Sequence, residues 1–174
     1  HQARLLAAVA ANDHLKPRGS EGSAAPGSSA ARDHDQRLFR KANDLMSEQH
    51  LMEFLRQLQS DDSYESSMAR PLDSFAAFFA LTGNRFLDEG IQSKANRMQK
   101  AITELRTFLG LNFFVYPEHQ GMRKSMRLCL HPFLNVDRGG PGTTATMRRY
   151  DNFQKQLDKA AEGLQATYRG FRLA

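Results

Sequence analysis

A mainly α fold, a helical bundle with an inserted β-hairpin, is what this sequence predicts. Three observations carry that prediction. Apolar residues recur every three or four positions in three long stretches, two short aromatic and branched runs lie between Asn112 and Pro132, and the period changes at Asn112 and again at Arg138.

The first long stretch, 36–59, places Leu38, Ala42, Leu45, Leu51 or Met52, Leu55 and Leu58 near one helical face. Asp35 stands where a cap would accept the first free amides, and Ser60-Asp61-Asp62-Ser63 supplies a polar exit whose carboxylates are expected to face water. Pro71 suits the opening of a short helix to Leu81, because its missing N–H is not needed in a first turn. Phe75, Phe78 and Phe79 give that helix a large aromatic mass before Thr82-Gly83-Asn84 ends it. In 85–109, Ile91, Ala95, Met98, Ile102, Leu105 and Leu109 share a face, with Asp88-Glu89 placed favourably for a helix start. The Gly139-Gly140-Pro141-Gly142 turn precedes a last helix over 144–168, striped by Tyr150, Phe153, Leu157, Leu164 and Tyr168.

The hairpin is expected near 112–132, with extended backbone at 113–116 and 126–131. Met126, Leu128 and Leu130 alternate with Arg127, Cys129 and His131, so a pleated strand sends the two sets to opposite faces. A two-stranded hairpin is marginal alone, so its apolar face should pack on the helices. The expected core comprises Leu45, Leu55, Phe78, Phe79, Ile102, Leu105, Phe113, Leu128, Leu157 and Leu164.

With 174 residues, the chain can bury one substantial core, and 40% hydrophobic against 25% charged residues argues against wholesale disorder. The helical domain is assigned to 36–174. Ahead of it, 1–16 contains the apolar run Leu5 to Ala11 and reads as an accessory helix, while 17–35, rich in Gly, Ser, Ala and Pro up to residue 31, reads as a flexible linker. No stretch is apolar enough for a transmembrane helix, so a soluble chain is the expectation; its compartment is left unassigned, an intracellular one being an option, because Leu5 to Ala11 resembles either a short helix or part of a targeting segment without a complete secretory signal. One cysteine excludes an internal disulfide framework.

No catalytic constellation emerges. His119 and His131 lie in the hairpin region beside Glu118 and Arg127, and Ser125 and Cys129 bring nucleophilic atoms, but sequence proximity does not make a triad. The Gly139–Gly142 turn lacks the lysine and hydroxyl of a phosphate loop, and neither a cofactor fingerprint nor a metal-ligand set is evident. Binding is therefore expected in preference to catalysis. The leading expectation is a protein-interaction or assembly module, including self-association, whose contacts are Tyr116, Met122, Arg123, Arg127 and His131.

Charge supports an alternative. The formal net charge is +5, and the whole excess falls within 111–174, which holds ten Lys or Arg against five Asp or Glu. Arg123, Lys124, Arg127, Arg148, Arg149 and Lys155 are thus candidate phosphate contacts for RNA or DNA, without a motif for sequence recognition.

Overall fold

The computed structural model describes residues 28–117 and 125–174. Five helices surround one core: α1 (Ser29–Leu45), α2 (Glu48–Asp61), α3 (Ser66–Ala80), α4 (Glu89–Asn112) and α5 (Thr144–Arg172). A small antiparallel sheet of β1 (Ser63–Glu65), β2 (Phe113–Val115) and β3 (Arg127–Leu130) is inserted among them, with β3 in the centre. The mainly helical class and the hairpin-like insertion predicted from sequence are both present. The expected accessory helix at 1–16 and the linker as far as residue 27 lie outside the described residues. Residues 29–35, also assigned to the linker, are instead the first two turns of α1, where the Ser28 hydroxyl accepts from the Ala31 amide.

The expected 36–59 helix is two helices. Met46 adopts an extended backbone, and Ser47 caps α2 by accepting from the His50 amide at 3.2 Å. Tyr168 from α5 donates to the Met46 carbonyl at 3.0 Å, so the break is fastened to the core on one side and capped on the other. Asp35 does not cap this segment. From within α1 it accepts from the Leu87 and Asp88 amides at 2.8 and 2.9 Å, holding the entry to α4.

Pro71 lies inside α3 and does not open it. The helix starts earlier because its first amides find acceptors in the segment leading into β3: Ser66 donates to the Met126 carbonyl and Ser67 to the Ser125 hydroxyl. The initial turn therefore has the partners that helix starts otherwise lack.

The sheet has one more strand than expected. β1 follows α2 directly after Asp62, which takes a left-handed backbone, and its register pairs Ser63 with Cys129 and Tyr64 with Leu128. On the other side of β3, Phe113 pairs with Leu130 and Phe114 with Cys129. One face of the sheet, carrying Phe113 and Leu130, joins the core with Leu105, Leu157 and Leu164. Leu55, Phe78 and Ile102 are also buried, while Leu45, Phe79 and Leu128 pack on the core partly exposed.

On the opposite face, Cys129 and Ser63 are both 0% exposed, while Phe114, paired with Cys129, stays 37% exposed at the edge. Tyr116 donates to the Arg138 carbonyl and Arg138 to the Asp61 carbonyl, tying the 132–143 connection to that end of the sheet. This connection is tight: Gly139 has φ +84°, and a Cβ on Gly140 would meet backbone atoms of 133–135 at 2.8 Å.

Candidate interaction surface

The alternation of β2 sends Phe113 into the core and Phe114 outward. Beyond β3, the chain turns at His131, whose φ is +30°, and then presents Phe133. Phe114 lies 5.2 Å from Phe133 and 5.4 Å from His131, measured between ring centres. His131 in turn packs 3.9 Å from Phe153 of α5. The four rings form one continuous surface cluster that remains open where it matters for contact: Phe133 is 53% and Phe114 37% exposed.

Arg149, one helical turn before Phe153, places its guanidinium 5.9 Å from that ring centre, within cation–π range. Arg148 and Lys155 share the outer crest of α5 with Asp151 between them, and Arg148 lines the cleft on the flank away from Phe153. The aromatic cluster thus has one cation at its edge, Arg149. His131 is anchored within it, its Nε2 lying 3.0 Å from Asn112 Oδ1. Burial, then the charge of Arg149, lowers the His131 pKa from its ordinary 6.5, favouring a neutral ring.

The other expected contacts have different settings. Tyr116 is half-buried and bonded to the Arg138 carbonyl at 2.9 Å. Arg127 directs Nε and Nη2 to the Ser63 hydroxyl at 3.3 and 3.0 Å, across the β1–β3 pair. Arg127 and Arg138 both favour a thiolate at Cys129, yet burial outweighs them and raises its pKa. Met122, Arg123, Lys124 and His119 lie outside the described residues. Of the candidate contacts, the structure brings His131 and Arg149 together; Phe114, Phe133 and Phe153 complete the surface and were not among the sequence-derived contacts.

On the other flank of α5, a polar cleft of about 490 Å³ lies between the α2–β1 turn and the 132–143 connection. Asp62 Oδ2 accepts from Tyr150 at 2.9 Å and Gln154 at 2.6 Å, while Asn135 donates to the Tyr150 hydroxyl at 2.8 Å. Asp62 is therefore a half-buried hub and not the water-facing carboxylate expected from its loop position. Burial, followed by the hydrogen bond and charge of Asp62, raises the Tyr150 pKa above 10 and keeps its hydroxyl a donor. No group of His, Cys, Asp and Glu that could hold a metal occurs among the described residues.

Family models, curated proteins and solved structures were compared with this chain, and none matches. The fold and surface together define a mainly helical protein with a three-stranded antiparallel insertion and an exposed aromatic face beside Arg149. Among the described residues, no helix is long and apolar enough to cross a membrane.

Proposed function

We propose that this chain is a protein-interaction module whose contact face is the cluster of Phe114, His131, Phe133 and Phe153 with Arg149. The observation that carries this reading is the exposure of two contacting phenylalanines, Phe114 and Phe133, on a folded rim. Aromatic residues and arginine are the types that concentrate binding energy at protein interfaces. Arg149 at the edge of the cluster selects the occupant: a protein segment with apolar side chains for the rings and an acidic one for this guanidinium. Self-association through this face would bring two copies of this cation together, so a separate partner is preferred.

Nucleic-acid binding is the second reading, favoured by Arg149 over the Phe153 ring, because stacked bases use the same aromatic and cationic chemistry. The two readings separate experimentally. Partners recovered by affinity purification would be titrated, as purified proteins, against the wild-type chain and Phe133→Ala; parallel titrations would use single-stranded and duplex RNA and DNA at several salt concentrations. A protein partner that binds the wild type and loses affinity for the variant supports the first reading. Tight nucleic-acid retention that weakens steeply with salt, without such a partner, overturns it in favour of the second.

A further inference from the structure

A second recessed surface lies at the far end of α5. Arg172 is nineteen residues beyond Phe153, roughly 29 Å away by helical rise, so it is separate from the aromatic face. The cleft, about 440 Å³, is formed by α1, the entry to α4 and the end of α5. That volume falls within the usual range of roughly 300–1,000 Å³ for small-molecule sites. Phe39, Phe86 and Ile91 supply its apolar wall.

Its charges are arranged unevenly. Both acidic residues already serve backbone amides: Asp35 accepts from Leu87 and Asp88, and Asp88 accepts from Ile91 at 2.9 Å. Arg32, Arg40 and Arg172 form the positive side of the lining, and Arg32 lies in no ion pair among the described residues. Arg172 is held in place, donating to Asn43 Oδ1 and lying 5.2 Å from the Phe39 ring centre. Arg40 makes no ion pair among the described residues. A planar guanidinium beside an aromatic wall recognises a carboxylate attached to an apolar body.

The geometry points to this cleft as a binding site for a small amphipathic carboxylate, with the acid between Arg40 and Arg172 and the hydrocarbon against Phe39, Phe86 and Ile91. A medium-chain fatty acid is the simplest molecule of that class. Its charge distinguishes it from an alcohol of equal length, and its chain distinguishes it from acetate.

Isothermal titration of the full chain with decanoate, below its micellar concentration, tests the assignment against decanol, acetate and decyl phosphate. Decanoate should bind saturably at one site, with decanol and acetate at least about tenfold weaker. Arg40→Gln should weaken decanoate about tenfold, as loss of a charge-assisted hydrogen bond does. Lys159→Gln removes one positive charge from the outer face of α5, thirteen residues before Arg172, and should leave decanoate binding unchanged. Both variants alter exposed residues, and far-UV circular dichroism establishes that they are folded. Equal binding of decanol, equal effects of the two variants, or uptake without saturation would overturn the site; preferential binding of decyl phosphate would overturn the carboxylate assignment.

Discussion

Tyr150 of α5 donates its hydroxyl hydrogen to Oδ2 of Asp62, the left-handed residue that ends α2 and leads into β1. One bond therefore links the last helix to the point where the bundle hands the chain to the sheet. Gln154 gives Asp62 a second donor one turn further along α5, and Asn135 brings in the connection that bears Phe133. The polar cleft and the aromatic face thus share a support: both flanks of α5 depend on how this helix is held against the 131–138 segment.

Replacing Tyr150 by phenylalanine keeps the ring and deletes the bond. Asp62 retains Gln154, but Asn135 loses its acceptor in a half-buried setting. The expected loss is about 1–3 kcal/mol of unfolding free energy. Urea denaturation followed by circular dichroism measures it, and an unchanged midpoint would mean that the network does not secure this junction.

Ser47→Ala tests the break between α1 and α2. Its hydroxyl satisfies the His50 amide, and the residue is exposed, so the substitution removes a cap without opening a core cavity. A destabilisation of about 1 kcal/mol is expected. Were the two helices continuous in solution, alanine at this position would raise stability by its better helix propensity, the opposite sign.

That break illustrates how much of the fold was legible. Periodicity located α4 and α5 because each repeats one apolar face over many turns. Around residue 50 the same stripe accepted either Leu51 or Met52, and that ambiguity was the trace of a phase change at Met46. β1 left no comparable sign: three residues with a single apolar member, Tyr64, cannot display an alternation. The β3 alternation correctly separated Leu130 from Cys129, but a strand pattern cannot report that Cys129, too, is buried on the second face.

The exposed aromatic surface was less legible for the same reason. Tyr116 and Arg127 bond to the Arg138 carbonyl and the Ser63 hydroxyl, partners distant in sequence, and Arg127 remains exposed. Phe133 follows a proline in an aperiodic loop, where nothing in the sequence distinguishes an exposed ring from a buried one. The outward turn of Phe114 was readable from its alternation with Phe113; its contact with Phe133 required the fold.

His131 should make stability fall on acidification. Its folded-state pKa is depressed by burial and Arg149, so the unfolded chain takes up the proton first. Stability from this residue is complete above its ordinary value of 6.5 and is lost as the pH falls through 6.5 toward the lower folded value. His131→Asn removes the titration while retaining a residue tolerant of positive φ. Between about pH 7 and pH 5, the wild type should lose stability relative to this variant; parallel stability curves would exclude His131 as a source of acid sensitivity.

Phe133→Ala separates the contact face from the core. The ring is half exposed and sits on the outer rim of the cluster, so its removal should change unfolding free energy by about 0.5 kcal/mol or less. If the face engages a protein, the same truncation should cost about 2 kcal/mol of binding, the scale at which an aromatic anchor dominates an interface. Arg149→Gln should act in the same direction and make the remaining binding less sensitive to salt, because it removes the cation beside the Phe153 ring. The two variants, measured against one purified partner, therefore give different signatures: loss of affinity at all salt concentrations for Phe133→Ala, and loss concentrated at low salt for Arg149→Gln. A partner that binds both variants as tightly as the wild type contacts some other part of the molecule, and the aromatic face would then not be its docking site.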